Sequence, residues 1–431
     1  MPVNAPALFG IPLDFFLFAA TLAGVALLHR HVLKVALTGL ATITLYKLLF
    51  APFASGAGVA GLAAHLGHEW VIIANLFALL VGFTLLSNHF EKSHVPAVLP
   101  RVLPSGALGG FVLLCMVFVL SSFLDNIAAA MIGGTMAASL YKKRVHIGFL
   151  AAIVAASNAG GSGSVVGDTT TTMIWIAGGS PLQVLDAYVA AVPALLFCGF
   201  VAARQQHAYQ PISTEVHDSV RVDWLRLAIV TSILLSAIGA NVYFNLRHPE
   251  VLDRVPVIGL AVFFAVVATA LLRQPDWGLI PDAAKGAVFL LSLVLCASMM
   301  PVEKLPLASW ATTLGLGFIS AVFDNIPLTA LALKQGGYDW GMLAYAVGFG
   351  GSMIWFGSTA GVALSSFFPE ARSVGHWLRH GWHVAVGYLI GFAVLMLVVG
   401  WHPEPLRRDA PTPTSQPAAT VAAPAQPAAS R

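Results

Sequence analysis

The strongest constraint on this chain is that two polar motifs occur twice, in the same order. Ser121-Ser-Phe-Leu-Asp125-Asn126-Ile127 returns as Ser320-Ala-Val-Phe-Asp324-Asn325-Ile326. Gly160-Gly-Ser162, then Gly167-Asp168-Thr169 after four residues, returns with the same spacing as Gly350-Gly-Ser352, then Gly357-Ser358-Thr359. The surrounding sequence is apolar and has diverged. Matching halves of this kind are typical of a duplicated membrane transporter that has kept its polar core.

The composition excludes an ordinary water-soluble protein. Of the residues, 58% are hydrophobic and only 10% are charged, whereas about a quarter are charged in soluble proteins. Several apolar runs approach or reach the roughly 17 to 25 residues that a helix needs to cross a bilayer. These runs are 15–28, 71–86, 225–240, 255–272 and 384–399. They lack the alternation of barrel strands, so the sequence predicts an all-α polytopic membrane protein.

Several other classes of protein and site are excluded as well. The net charge of +3 is spread over loops, without the basic stripe of a nucleic-acid-binding protein. Cys115, Cys198 and Cys296 lie in apolar runs and predict neither disulfides nor a thiolate metal site. Residues 1–12 lack the basic start of a signal peptide, so we expect the first helix to stay in the mature protein. No lysine follows the glycines as in a phosphate loop, so we expect no nucleotide and no cofactor.

Each half is predicted to contain three helices, a helical pair broken at Asp-Asn, one interrupted helix and one last helix. In the first repeat, 1–204, we expect helices at 13–29, 32–50 and 70–88, a hairpin at 108–141 broken at 124–127, an interrupted helix at 146–178 and a last helix at 181–204. In the second repeat, 223–400, we expect helices at 224–245, 255–272 and 280–300, a hairpin at 306–335 broken at 323–326, an interrupted helix at 340–366 and a last helix at 381–400. A polar cytoplasmic linker, 205–222, joins the repeats, and residues 401–431 form a disordered tail rich in Pro and Ala.

The basic residues predict the topology. If both broken pairs are re-entrant hairpins, one side of the membrane holds most of the basic loop residues: Arg30, Lys34, Lys92, Arg101, Lys142, Lys143, Arg144, Arg204, Arg221, Arg226, Arg273, Arg372 and Arg379. The opposite side holds Arg247, Arg254, Lys304 and Lys334, together with the three arginines of the tail. Cytoplasmic loops of membrane proteins are enriched in Lys and Arg. The side with most of the basic residues is therefore predicted to be cytoplasmic, which makes the N-terminus extracytoplasmic. About five crossings and one hairpin per half make the two repeats inverted.

Three carboxylates, Asp125, Asp168 and Asp324, are flanked on both sides by long apolar sequence. A charged group at the bilayer centre costs at least about 2.5 to 3.5 kcal/mol, which favours a functional role. The alternative is an aspartate that only caps a helix at a break. The repeated Asp-Asn-Ile favours function, and we expect both side chains of each pair to accept bonds from N–H groups of the next helix. Pro327 fits the first turn of that helix.

The segment from Asn158 to Thr172 is too rich in glycine for a comfortable helix, with four glycines between residues 158 and 167. Unwound backbone at membrane depth is tolerated where it is buried in protein or lines a cavity. Its hydroxyls, carbonyls and single carboxylate form an oxygen set suited to a hard cation such as Na⁺, although close helix packing alone could also require the glycines. The second copy has Ser358 in place of Asp168, so the first half holds the extra charge.

These motifs together resemble the NhaD-type sodium/proton antiporters of the ion transporter superfamily, to which citrate carriers and arsenite pumps also belong. The matching stretches are Ser121 to Asn126, Asn158 to Gly161, Gly167 to Trp175, Asp324 to Thr329 and Gly357 to Ala363. The resemblance implies two inverted repeats, a fixed scaffold, a moving transport part and a homodimer. The family's polar residues carry over onto Asp125, Asn126, Asn158, Asp168, Thr169, Thr170, Asp324, Asn325, Ser358 and Thr359. Ala128, Ala129 and Ala130 depart from the hydroxyl residues expected after the first Asp-Asn.

The sequence thus predicts a secondary transporter, not an enzyme, in the lipid bilayer of a bacterial inner membrane. Na⁺ or Li⁺ and H⁺ would compete for the carboxylates, with Na⁺ bound at Asp125, Asp168 and Asp324. The alternative is a cation-coupled carrier of citrate or another carboxylate or oxyanion, which helix N-termini could bind. Three aspartates and the lack of Arg or Lys in the motifs oppose it. A membrane protease with two catalytic aspartates is a third possibility, but the sequence Gly-x-Gly-Asp is absent.

Overall fold

The computed structural model describes residues 6–28, 31–98, 103–212, 221–252 and 254–406, and these residues are mostly helical. A short antiparallel hairpin pairs β1, Ala7–Leu8, with β2, Ile11–Pro12. The first half continues with α1 Leu13–Leu27, α2 Val32–Phe50, α3 Gly58–Glu91, α4 Val95–Val98, α5 Ala107–Ser121, α6 Asn126–Leu140, α7 Ile147–Ser162, α8 Thr169–Ile176, α9 Pro181–Leu185 and α10 Ala187–Tyr209.

The second half, from Trp224 to Val398, is also built from helices. Its α-helices are α11 Trp224–Arg247, α12 Pro249–Leu252, α13 Val257–Ala270, α14 Ile280–Ser298, α15 Trp310–Ser320, α16 Asn325–Gln335, α17 Trp340–Gly350, α18 Thr359–Phe367, α19 Val374–His380 and α20 Trp382–Val398. Short 3₁₀ helices cover Trp277–Leu279, Val302–Lys304 and Pro369–Arg372.

Five helical stretches in the described residues are long and apolar enough to cross a membrane. They are Val32–Phe50, Gly58–Glu91, Pro181–Tyr209, Trp224–Phe244 and Trp277–Ser298. The pair α19 and α20, bent by 58°, passes the same criterion as one broken span. Other apolar helices are shorter, including α5, α6 and α7. Each of these three helices begins or ends at a polar motif, where glycines or a helix-capping residue interrupt the helix.

Two helices extend well beyond their predicted bounds, and α15 begins at Trp310 rather than at residue 306. Helix α3 begins at Gly58 rather than at residue 70, and His65 in the added part is buried, with its Nε2 3.0 Å from Ser298 Oγ. Helix α10 continues to Tyr209, so the first five residues of the predicted linker are helical. Gln206 explains this extension, since its buried amide donates to the carbonyls of Arg144 and Gln210. Residues 213–220 and the tail 407–431 lie outside the described residues.

The two helices that carry the Gly-Gly motifs lie in the centre of the protein. Every residue of α7 from Gly148 to Ser162 is buried, as is every residue of α17. Around them, α5, α6, α10, α18 and α20 contribute to one large apolar core. A smaller apolar core joins α1, α2 and α14, and α3 contributes to both. The two Gly-Gly-Ser segments are therefore held away from the surface of the protein.

The two copies of the motifs make equivalent contacts. A Cβ added at Gly160 would overlap the carbonyl oxygen of Phe118, and one added at Gly350 would overlap that of Gly317. A serine follows three residues after Phe118 and three residues after Gly317, and both serines donate a hydrogen bond to a backbone carbonyl of the neighbouring helix. Ser121 Oγ donates to Ser157 O at 2.5 Å, and Ser320 Oγ donates to Val347 O at 2.7 Å. The sequence repeat is thus matched by a repeated way of packing one helix on the next.

Candidate functional site

Four helices begin at the candidate site, and the residue immediately before each is one of the repeated polar residues. Asp125 precedes α6, Asp168 precedes α8, Asp324 precedes α16 and Ser358 precedes α18. Asp and Ser are favoured there because their short side chains can accept bonds from the free N–H groups of the first turn. Each helix start also carries partial positive charge, which favours an anionic side chain.

Asp168 is the centre of this arrangement. Its side chain is 3% exposed, and four donors surround its two carboxylate oxygens. Oδ1 accepts from the backbone N–H of Thr170 at 3.3 Å and from Asn126 Nδ2 at 3.4 Å. Oδ2 accepts from Thr170 Oγ1 at 2.7 Å and from Asn325 Nδ2 at 3.5 Å. The two Asp-Asn motifs, one from each half, therefore meet at a single carboxylate.

Asn158 links this carboxylate to the second Gly-Gly motif. Its Oδ1 accepts from Asn126 Nδ2 at 3.1 Å. Its Nδ2 donates to Ser352 Oγ at 2.9 Å and to Ser358 Oγ at 3.1 Å. All of these side chains are buried, so the polar network is shielded from bulk solvent and each of its bonds is stronger than in water.

Asp125 and Asp324 are more open than Asp168. Both are half-buried. Asp324 Oδ1 accepts from the N–H of Ile326 at 3.1 Å. The expectation that all four Asp and Asn side chains accept helix N–H bonds is wrong for Asn126 and Asn325. Asn126 and Asn325 are already the first residues of their helices, and their amides donate sideways to Asp168.

A cavity connects two of the carboxylates. Asp125 and Asp168 line it together with Val166, Gly167, Thr169 and Thr172, and four apolar residues of α3, here called the α3 wall, complete the lining: Leu76, Leu79, Leu80 and Phe83. Asp125 thus faces a space that Asp168 also reaches. An ion entering this space would meet two carboxylates and the hydrocarbon side chains of α3.

The threonines after Asp168 differ in role. Thr170 donates to the carboxylate, while Thr171 and Thr172 donate to carbonyls of the unwound segment, Ser164 O at 2.5 Å and Val165 O at 2.9 Å. Thr169 and its counterpart Thr359 are half-buried first residues of their helices. The hydroxyls of Thr171 and Thr172 therefore hold the loop in shape, which leaves Thr169 as the threonine best placed for the cavity.

Two parts of the site are not among the residues predicted from the sequence. Ser352 belongs to the repeated Gly-Gly-Ser motif, and that repetition could have identified it. The α3 wall could not be found in this way, because Leu76 and Leu79 look like any other apolar residues of a membrane helix. Among the described residues, no ion pair joins Asp125, Asp168 or Asp324 to a basic side chain. The negative charge of the site is thus available to a proton or a cation.

No family model matches the chain. Several individual proteins are nevertheless similar to it in sequence. A protein of Alkalimonas amylolytica named Na⁺/H⁺ antiporter NhaD is 28% identical over 337 residues, covering 64% of this chain and 66% of that protein. Sodium/proton antiporter 1 of Arabidopsis thaliana is 27% identical over 340 residues, covering 67% of this chain and 55% of that protein. Na⁺/H⁺ antiporter NhaD of Vibrio parahaemolyticus is 26% identical over 397 residues, covering 78% and 92%.

The chain covers less than two thirds of the length of the first two of these relatives. The similarity nevertheless extends well beyond the polar motifs, since it spans most of the chain in each case. Together with the long apolar helices, it identifies an integral membrane protein. The resemblance predicted from the motifs is confirmed: this chain is similar, at the level of the family, to the NhaD-type Na⁺/H⁺ antiporters.

Proposed function

We propose that the protein exchanges Na⁺ or Li⁺ for H⁺ across a membrane. The observation that carries this proposal is the buried Asp168 carboxylate, whose donors in the described part of the chain are all neutral and which shares a cavity with Asp125. Two carboxylates near one another in a low-dielectric space favour a bound positive charge, either a proton or a metal cation. The names of the relatives, sodium/proton antiporters, agree with this chemistry.

In this proposal, the cation and the proton compete for one set of oxygens. Asp125, Asp168 and Asp324 provide the charge, and the amide oxygens of Asn126, Asn158 and Asn325 provide neutral ligands with the hydroxyl of Thr169. Oxygen ligands of this kind suit a hard cation such as Na⁺. Proton binding from one side of the membrane releases the cation, so an existing gradient of either ion drives the other.

A carrier of citrate or another carboxylate is less well supported. Four helix N-termini at one site would attract an anion in the absence of an acidic side chain. Here Asp168 already accepts from the donors of three helices, since Asn126 lies on α6, Thr170 on α8 and Asn325 on α16. A substrate carboxylate would meet Asp125 and Asp168 in the same cavity, and like charges repel.

We also propose the larger arrangement in which this exchange takes place. Residues 1–204 and 223–400 form two inverted repeats, with re-entrant hairpins at 108–141 and 306–335 and interrupted helices at 146–178 and 340–366. The hairpins and interrupted helices move together against a scaffold, which exposes the site to each side of the membrane in turn. The protein forms a homodimer in a bacterial inner membrane, with its N-terminus extracytoplasmic.

Inverted repeats place equivalent residues on opposite sides of the membrane, which is testable. Ser105 lies just before α5, Leu307 lies just before α15, and both are exposed. In a background with Cys115, Cys198 and Cys296 replaced, we expect Ser105→Cys to react with an impermeant maleimide from the cytoplasmic face and Leu307→Cys from the other face. Labelling of both from one face would contradict the inversion, and labelling after detergent lysis controls for reactivity.

The transport activity is tested in proteoliposomes that contain a pH-sensitive dye and the purified protein. With an acidic interior, we expect external Na⁺ or Li⁺ to raise the internal pH, because cation entry must release protons. K⁺ and citrate should give no response, and liposomes without protein control for leakage. A response to citrate alone would exclude the antiporter and favour the carboxylate carrier.

A further inference from the structure

The serines of the second Gly-Gly motif are bound differently from their counterparts in the first. Ser162 Oγ donates within its own helix, to Ala159 O at 2.8 Å. Ser352, its counterpart, accepts from Asn158 across the interface between the two halves. The residue at the Asn158 position of the second copy is Gly348, and the residue at the Asp168 position is Ser358. The second Gly-Gly motif therefore lacks the amide and the carboxylate of the first, and its polar side chains are hydroxyls.

The bonds of Asn158 can be fully counted. A primary amide has two N–H donors and one carbonyl oxygen with two lone pairs. Both donors are used, by Ser352 Oγ at 2.9 Å and by Ser358 Oγ at 3.1 Å. The carbonyl oxygen accepts once, from Asn126, so one lone pair stays open to a cation. With the amide turned over, its NH₂ group would face the NH₂ group of Asn126 and would repel a cation.

Ser352 and Ser358 are themselves held in place. Ser352 Oγ donates to Val154 O at 3.5 Å, and its backbone carbonyl accepts from Trp377 Nε1 at 3.2 Å. Ser358 Oγ accepts from the backbone N–H of Gly361 at 3.3 Å in addition to Asn158. The Ser358 oxygen has thus used both of its lone pairs. It has none left for an ion.

We infer that Ser352 and Ser358 are positioning residues: they fix the Asn158 amide so that its oxygen, and not its nitrogen, faces the cation site. This inference rests on the proposed cation exchange. Ser358 then orients Asn158 and does not bind the ion, whereas the sequence predicts it to be an ion ligand. At the two Gly-Gly motifs, the second half then orients a ligand and the first half contributes the ligand itself, which accounts for the difference between Ser358 and Asp168.

Ser352→Ala tests this inference, because Ser352 caps no helix and its loss leaves the start of α18 intact. We expect the Na⁺ concentration for half-maximal exchange to rise about 2- to 10-fold, the usual effect of one lost neutral hydrogen bond, with an unchanged maximal rate. The matched control is Ser365→Ala, since Ser365 is equally buried and its hydroxyl donates within α18, to Val362 O. Na⁺-dependent protection against thermal unfolding provides a second readout of affinity.

A double-mutant comparison separates positioning from direct binding. An aspartate at position 158 has two equivalent oxygens and needs no orientation, so in Asn158→Asp the added Ser352→Ala change should have little effect on half-saturation. If Ser352→Ala matches the Ser365→Ala control, or weakens Na⁺ binding by the same factor in both backgrounds, the inference is overturned. A parent protein without any Na⁺ or Li⁺ response would overturn both the exchange and the inference, whereas a responsive parent leaves only the inference at stake.

Discussion

Asp168→Asn should raise the Na⁺ and Li⁺ concentrations for half-maximal exchange by at least about 100-fold, so that concentrations which saturate the parent protein give no response. Loss of a charged ligand removes more affinity than loss of a neutral one, and a 100-fold change corresponds to about 2.7 kcal/mol. The amide is nearly the same size as the carboxylate, but its NH₂ group would face donors, because Thr170, Asn126 and Asn325 all donate to Asp168. Dye-loaded proteoliposomes measure the exchange directly.

Asp339→Asn is the matched control for this change. Asp339 is 5% exposed and precedes α17, where its carboxylate accepts from the N–H groups of Met342 at 2.9 Å and His402 at 3.0 Å. It is therefore another buried capping aspartate, without a contact to the site. We expect its replacement to lower the thermal stability and to leave the half-saturating Na⁺ concentration unchanged. An Asp168→Asn protein that keeps its Na⁺ affinity within about twofold would remove Asp168 from the site.

The positions of the polar residues could be predicted from the sequence because burying them is costly. Asp125, Asp168 and Asp324 stand out against apolar surroundings, and each does precede a helix. The side-chain partners of Asp168 within its own segment also follow from local rules, since a capping aspartate reaches the N–H two residues on. Repetition of the motifs strengthened these inferences, because one chance aspartate does not recur with the same neighbours.

The contacts between the halves could not be predicted. Helical periodicity tells which residues share one face of one helix, but it does not say that Asn158 meets Ser352 or that Asn325 meets Asp168. The α3 wall could not be predicted for a related reason. Every face of a membrane helix is apolar, so the face that lines the cavity has no distinctive composition. The end of α10 could not be predicted either, because Gln206 looks like a residue of a polar linker. In the structure its amide is buried and donates to the carbonyls of Arg144 and Gln210.

Gly160→Ala should have the largest effect on stability. The added methyl group would overlap the carbonyl oxygen of Phe118, and it would also lie 2.8 Å from the carbonyl carbon. A backbone group cannot rotate out of the way as a side chain can, so α7 must move off α5. Overpacking of this kind typically costs 1 to 3 kcal/mol, and we expect about 3 kcal/mol or more here. Thermal unfolding of the purified protein in detergent measures the loss.

The displacement of α7 should also reduce transport, because Asn158 lies only two residues before Gly160 on the same helix. The control is Gly315→Ala on α15, where nothing lies within 4 Å of the added Cβ. There the alanine gains up to about 1 kcal/mol of helix propensity, so this variant should be as stable as the parent or slightly more so. Equal melting temperatures for the two variants would mean that α5 and α7 are not in close contact at Gly160. Since Gly350 makes the equivalent contact with Gly317, Gly350→Ala should behave like Gly160→Ala if both halves pack in the same way.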